Sequence, residues 1–494
     1  MKDAIRALGP GSPPEPPERR LLREIQELTK GDELDGVPLS EVLGAEFSTH
    51  WWAGRFTGRA PSVAAARLQL AYQLWGRTIR EAVKPKDMTL MTKDNQRRIA
   101  IEVDGTDPRL SGFWYPVAKL LGPGKCTLVL RSRRLAGTVP AGFTAIAADE
   151  AGVDWAPYRR WVHQRLGRWK EGLQKISTEH RLAIAAPDLL LALLVSQVYR
   201  MGQAASLAHL LRPRAFLSTW DHGSLAGSLC WVLRTRCVPT FTMVHGAIGV
   251  ESMAEFAPLV ADTVFVWGEY QRELFLAAGV ADSRIRLTGF QRMERPPALN
   301  PRAIPVSESR NARQVGLKVI LVGFTMLRTT DRAIWIEAVK GLVMSMPESR
   351  FILRLHPSNS SLEYAPHFAS LPRVEVQEAR QASLEELLAV SDAVVVDSST
   401  LGFDALLLGK IVAVLDPYPA PKVQDVMRDA LEWGAAIYSR TPEALAHDLD
   451  EASKDERRRA ALLQRTKAFT EHYVCAYGEE AARRIVAVLN KPQA

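Results

Sequence analysis

Residues 391–415 read SDAVVVDSSTLGFDALLLGKIVAVL. Ala393 to Val396 is a short run of Val and Ala, the mark of a strand buried on both faces. Asp397, Ser398, Ser399 and Thr400 then break the run, and Ser or Thr is what a helix N-terminus prefers as its cap. The pattern predicts a helix over 400–409, stopped by Gly409, and a second apolar strand from Ile411 to Leu415. Strand, polar turn, helix, strand is the repeating unit of a parallel sheet covered by helices. In such sheets ligands gather where strands end and helices begin. The stretch that decides the fold therefore also nominates a site. Three hydroxyl residues stand where a helix leaves N–H groups unpaired, a cradle for a phosphate, with Asp404 one turn further on.

The same rhythm extends in both directions. Within the same half of the chain, Lys318 to Gly323, Phe351 to Leu355 and Val374 to Val376 read as strands and 331–345 and Ser383 to Val390 as helices before this stretch, and more helices follow residue 415. The segment Arg292 to Gln314 carries Pro296, Pro297, Pro301 and Pro305 and reads as a linker. Before it, strands are expected at Ile99–Val103, Cys126–Leu130, Thr144–Ala147, Ala215–Ser218, Thr240–Val244, Thr263–Trp267 and Arg286–Thr288. Helices at about 114–121, 155–183, 187–211, 223–235 and 269–278 fill the gaps. The first residues hold five prolines between Pro10 and Pro17, and Arg19–Thr29 and Val63–Val83 have helical spacing. The expected plan is an α/β chain: a Pro-rich lead and helical extension over 1–84, a Rossmann-like domain over 85–300, and a second over 301–494. Two such halves joined by a linker suggest an enzyme with its site in the cleft between them.

Composition narrows the classes. A chain of 494 residues is too long for one ordinary core, and 47% hydrophobic with 24% charged residues is the balance of a folded protein. No apolar leader of the secretory kind is visible, and the most apolar stretch, Pro187 to Val198, is short and carries Asp188, so a cytoplasmic location is expected. Cys126, Cys230, Cys237 and Cys475 form no CxxC or Cys/His pattern, which argues against zinc and a disulfide framework. The net charge of +8, from 63 basic and 55 acidic residues, suits anionic substrates or a peripheral contact with an anionic membrane face. No RNA-binding signature or basic stripe interleaved with aromatics points to nucleic acid. Gly402 and Gly409-Lys410 are wrongly spaced for a P-loop, with Ile411 where Ser or Thr is needed. There is no GxGxxG, GxSxG or HExxH.

Four further junctions carry polar residues. The run Phe351 to Leu355 ends in His356-Pro357, where the proline stops the strand and turns the imidazole toward the crevice. Thr240 to Val244 ends in His245-Gly246, the glycine leaving room for a ligand to approach the backbone. Asp221 and His222 follow the strand before it, and Asp104 and Asp107 flank the first loop. A carboxylate or imidazole at these ends can serve as a general base. His245, Asp221 and Asp104 are the candidates, and their sequence does not choose among them. Arg328 and Arg292 are further cations in loops expected to face the cleft. No Asp-x-Asp stands at a strand end, which points to metal-independent chemistry and to no cofactor beyond an activated substrate.

Taken together, the stretch from Ser391 through Phe403-Asp404 to Lys410, Arg354-Leu-His356-Pro357, His245-Gly246, and Ile285-Arg-Leu-Thr-Gly289-Phe-Gln-Arg292 resemble the motif set of CDP-glycerol glycerophosphotransferases and related capsule polysaccharide transferases. The resemblance covers roughly residues 212–416. It implies a GT-B fold with the nucleotide donor held mainly by the C-terminal domain. It also implies that His356, Ser398, Ser399 and Asp404 belong to the donor site and that His245 lies at the reaction centre. Arg354, Asp397 and Thr400 join the donor-binding candidates, and His356 is a catalytic candidate as well, able to add a hydrogen-bond donor or a proton. The chain departs from that pattern in Asp397-Ser-Ser rather than Asp-Tyr-Ser-Ser, and in Gly-Phe-Gln-Arg rather than Gly-x-Pro-Arg. A sugar nucleotide, UDP- or CMP-linked, thus stands beside CDP-glycerol as donor. The expected activity is glycosyl transfer to a glycan or lipid-linked acceptor in surface polysaccharide synthesis, by a cytoplasmic or membrane-peripheral enzyme. Glycerophosphate transfer, a UDP-sugar 2-epimerase-like isomerisation and a non-catalytic GT-B scaffold remain as alternatives.

Overall fold

A computed structural model describes residues 17–34, 37–43, 98–103, 108–182, 186–250, 252–292, 317–325, 329–356, 359–379, 381–397, 399–419, 423 and 425–491. The expected helix Val63–Val83, the linker prolines, Asp104, Asp107, Arg328, Pro357 and Ser398 lie outside these residues.

Seven parallel strands form the first sheet: β1 (Ile99–Val103), β2 (Cys126–Leu130), β3 (Thr144–Ala147), β4 (Ala215–Ser218), β5 (Thr240–Met243), β6 (Thr263–Val266) and β7 (Ile285–Leu287). Their order is β3-β2-β1-β4-β5-β6-β7. The second sheet has six: β8 (Val319–Gly323), β9 (Arg350–Arg354), β10 (Val374–Gln377), β11 (Ala393–Val396), β12 (Ile411–Leu415) and β13 (Ile437–Ser439), in the order β10-β9-β8-β11-β12-β13. All neighbouring pairs in both sheets are parallel. The central strands are fully buried from end to end, as in β2, β8 and β12. Their unbroken apolar runs follow from helices covering both faces.

Besides a single turn at Leu39–Val42, the α-helices of the described residues are α1 (Pro17–Leu28), α2 (Pro108–Leu121), α3 (Trp155–Glu179), α4 (Ala186–Leu211), α5 (Ser224–Arg234), α6 (Glu269–Ala277), α7 (Thr329–Ser345), α8 (Ser361–Phe368), α9 (Leu384–Val390), α10 (Thr400–Leu407), α11 (Asp425–Glu432), α12 (Pro442–Lys454), α13 (Glu456–Tyr473) and α14 (Gly478–Leu489). The apolar stretch from Pro187 to Val198 opens α4, which is buried on nearly every side between α3, α5 and the first sheet. A helix apolar all round belongs in the interior. Among the described residues, no helix is long and apolar enough to cross a membrane. The N-terminal α1 packs Leu21 and Ile25 inward against α3. Asp32, buried just beyond it, accepts from Arg165 Nε and Trp169 Nε1, each at 2.8 Å, and from Arg168. Two cations and an indole on one carboxylate fasten this segment to the first domain.

The chain does not end where the second sheet does. After α13 it crosses back: Cys475 N donates to Trp267 O at 2.8 Å, Phe290 N to Ala476 O at 2.8 Å, and Gly478 N to Phe290 O at 2.9 Å. Helix α14 then packs on α2, and Arg214 donates to Leu489 O at 3.0 Å and Asn490 Oδ1 at 2.9 Å. Gly289 makes the crossing possible. Its φ is +102°, and a Cβ there would meet Ala476 O at 2.3 Å. One continuous core consequently runs through both halves, with Phe113, Trp267 and Phe290 from the first and Phe403, Phe469 and Tyr473 from the second.

Candidate functional site

In each sheet the strand order reverses beside its first strand, at β1/β4 and at β8/β11. A crevice opens at the carboxyl ends of strands at such a point. At β8/β11 it is a cleft of about 340 Å³. Gly323 and Phe324 leave β8 into it, Arg354 and His356 leave β9, and Ser399, Thr400 and Asp404 come from the start of α10. Ser111 and Gly112 of α2 and Arg292 face them from the first domain, so both halves of the molecule form its walls.

Helix α10 is set by its sequence. Ser399 is its N-cap, the hydroxyl accepting from Leu401 N at 3.3 Å, and Leu401 to Leu407 are buried. The helix therefore cannot turn, and its N-terminus, with Ser399 and Thr400, lines the cleft. Asp397 stands just before it, buried, accepting from Thr325 Oγ1 at 2.8 Å and from the Tyr418 hydroxyl at 3.4 Å. It ties together the loops that follow β8, β11 and β12. Burial, reinforced by the Asp397 carboxylate, pushes the Tyr418 phenol well above its usual range, so it stays protonated and donating.

Asp404 meets Arg292 across the domain boundary, Nη2 to Oδ2 at 2.9 Å, with both side chains mostly buried. The Arg292 stem lies on Gly112, where a Cβ would sit 2.6 Å from Cγ. Arg354 donates to Ala382 O at 2.9 Å and Ala379 O at 3.3 Å. It holds Ala379 and Ala382 as well as lining the cleft. The crevice thus offers His356, hydroxyls and helix N–H groups on one side and an arginine–aspartate pair at the seam.

The histidine of the first domain sits at the ends of β4 and β5. His245 Nδ1 lies 2.8 Å from Thr219 O. A carbonyl only accepts, so Nδ1 carries a proton and the lone pair of the neutral ring lies on Nε2. Trp220 and Phe256 flank the ring at 6.0 and 5.6 Å. A Cβ on Gly246 would meet nothing within 4 Å, so the backbone there faces open space.

Asp221, one of the candidate bases of the sequence, is engaged by backbone N–H groups of the first domain. It is buried, and Oδ2 accepts from Val260 N at 2.8 Å and Ala261 N at 2.7 Å. Its carboxylate organises the loop before β6 and does not line the cleft. His222 beside it is also buried, Nε2 3.9 Å from Asp221 Oδ1. Lys410, at the end of the motif that drew attention to this region, donates to Ser391 O at 2.9 Å beyond the end of α9, and burial lowers its pKa.

Ser111, Phe324, Ser383 and Glu385 line the cleft without having been singled out in the sequence. One signal existed for the last two. Ser383 and Glu386 form a capping box on α9, and that S-x-x-E spacing marks a helix start at the same edge of the sheet. An Asp-x-Asp does occur at Asp448-Leu449-Asp450, but within α12, where Arg458 pairs with Asp448 at 2.9 Å and Lys454 with Asp450 at 2.7 Å.

No protein-family model matches the chain, and no curated protein does. Among solved structures, S. aureus MnaA in a complex with UDP superposes with a TM-score of 0.50 at 15% identity, over 80% of this chain and 96% of that one. A putative UDP-N-acetylglucosamine 2-epimerase from Listeria monocytogenes superposes at 0.49 and 14%, over 80% and 96%. The wall teichoic acid polymerase TagF with CDPG does so at 0.46 and 12%, over 86% and 97%. At this identity the likeness concerns the fold. The chain is GT-B-like, two Rossmann-like domains facing across a cleft.

Proposed function

We propose that the protein is a glycosyltransferase that moves a sugar from a nucleotide-activated donor to an acceptor hydroxyl. The observation that carries this reading is the crevice at β8/β11, where the N-terminus of a buried helix, hydroxyls and His356 converge opposite the other domain. Helix N–H groups and a neighbouring histidine are what a phosphate needs. S. aureus MnaA, of similar fold, was solved with UDP, a ligand of the class proposed here.

In the proposed reaction the bond between the sugar and the donor phosphate breaks, and a bond from the sugar to the acceptor oxygen forms. The departing phosphate gathers negative charge, which α10 and His356 stabilise. The acceptor proton passes to Nε2 of His245, the ring position its Thr219 contact leaves basic. Asp397 acts indirectly, holding the loops around the phosphate in register. Because no strand-end Asp-x-Asp was found in the sequence, transfer is expected to need no divalent metal ion.

The test is a thermal-shift screen against UDP, CDP, CMP and GDP and their sugars in the presence of EDTA, followed by product analysis with and without acceptors. A ligand at a hundred times its Kd stabilises by about 2.7 kcal/mol, a readily visible rise in Tm. Stabilisation by one nucleotide class and transfer to a hydroxyl acceptor are expected. Conversion of the donor alone into a sugar isomer would replace this reading with an isomerase. Stabilisation by none of the nucleotides would remove it.

A further inference from the structure

The loop that carries His245 and Gly246 is held at two backbone carbonyls by two aromatic side chains. Trp267 Nε1 donates to Val244 O at 2.9 Å, and the Tyr473 hydroxyl donates to Ile248 O. Both residues are buried. Trp267 directly follows β6 in the first domain, whereas Tyr473 is the last residue of α13 and reaches the loop from the far end of the chain.

The two rings meet on one side chain. Phe403 lies 5.9 Å from Trp267 and 4.5 Å from Tyr473, centroid to centroid, and Trp267 and Tyr473 lie 6.2 Å apart. Phe403 belongs to α10 and precedes Asp404. Phe113 and Phe290 brace Trp267 at 5.9 and 4.5 Å, and its carbonyl accepts from Cys475 N. The histidine loop and the helix that opens on the crevice therefore share one support, assembled from three distant parts of the sequence. Interiors are packed too densely for one of these rings to shift alone.

We infer that Trp267 and Tyr473 are positioning residues, which set the place of His245 relative to a phosphate on α10 by pinning Val244 O and Ile248 O to the Phe403 ring. The inference rests on the transferase reading above. Neither side chain lines the crevice, so each acts through the imidazole. A reacting group displaced by about 1 Å costs on the order of a hundredfold in rate. Phosphate contacts on α10 and His356 are not altered by such a displacement, so donor affinity is largely preserved.

Tyr473→Phe keeps the ring and removes only the hydroxyl, while Trp267→Phe removes the indole N–H. Each should lower kcat by roughly tenfold to a hundredfold, with calorimetric affinity for UDP and CDP changed less than about twofold. In a His245→Ala background both substitutions should lose their effect, because groups acting as a unit are not additive. A readout independent of activity is the imidazole NMR signal of His245, assigned by its loss in His245→Ala. It should shift in Tyr473→Phe and Trp267→Phe and stay in place in Trp231→Phe, which deletes a buried indole N–H without a hydrogen-bond partner. Parental turnover in folded Tyr473→Phe protein, or unmoved His245 signals in both variants, overturns the inference. Shifted signals in a chain that turns over no nucleotide sugar would uphold the positioning and sink the transferase reading instead.

Discussion

At the scale of single residues, the two acids flanking this site illustrate opposite uses of a carboxylate. Asp404 sits at the domain seam against Arg292, whereas Asp221 is committed to two backbone N–H groups of the first domain. Removing the latter leaves Ala261 N, which is buried, and Val260 N, which is half-buried, unpaired, at about 1–3 kcal/mol for the buried donor. Asp221→Ala should thus lower the melting temperature by several degrees, while turnover per folded molecule changes little. Loss of turnover in protein that melts like the parent would show that Asp221 acts in the chemistry. Gly246→Ala makes the converse case. Its new methyl meets nothing in the protein itself, so stability should hold and activity should fall if a substrate approaches that backbone. Unchanged kinetics would place the substrate elsewhere. The placement of His356 and Ser399 was legible because both close an apolar run at a strand end, a pattern contained within ten residues. The duty of Asp221 was not, since it depends on where residues 260–261 come to lie, and no local pattern encodes that meeting.

Among elements, the strands that read most clearly were those buried on both faces. Cys126–Leu130, Ala393–Val396 and Ile411–Leu415 have the limits expected of them, because burial demands an unbroken apolar run and a polar residue ends it. Strand β13 escaped notice: three residues, one of them the exposed Tyr438, carry too little pattern. Helix α8 was masked by Pro366 within it. The return of the chain after α13 was also hidden, for a helix sequence shows an apolar face without naming the domain that covers it. Gly289 is one position on which that return depends. With φ at +102° and Ala476 O in the place of a Cβ, Gly289→Ala combines backbone strain with overlap. Strain of this kind costs on the order of 1–3 kcal/mol before the overlap is added. The variant should melt well below the parent in calorimetry, and a parental Tm would mean that the crossing at 475–478 is not held as described.

For the molecule as a whole, the proposed reaction needs a nucleotide phosphate held in the crevice at β8/β11 and a base supplied by the first domain. The shared aromatic core keeps those two parts in fixed relation. The central claim is the phosphate on α10, and it can be tested at one N–H. Thr400 is the first residue of the helix, so its N–H has no intrahelical acceptor, and proline is well tolerated at that position. Ser399 already has φ −73° and ψ 140°, the conformation favoured before proline. Thr400→Pro should therefore leave the helix in place while deleting the N–H of a residue that lines the crevice, and Thr400→Ala controls for the lost hydroxyl. The decisive measurement is the calorimetric affinity of Thr400→Pro for UDP and CDP relative to Thr400→Ala. The expected loss is about 1.5–3 kcal/mol, the worth of a hydrogen bond to a charged group, or roughly ten- to more than a hundredfold in Kd. Equal affinity in the two variants, with the melting temperature unchanged, would contradict it.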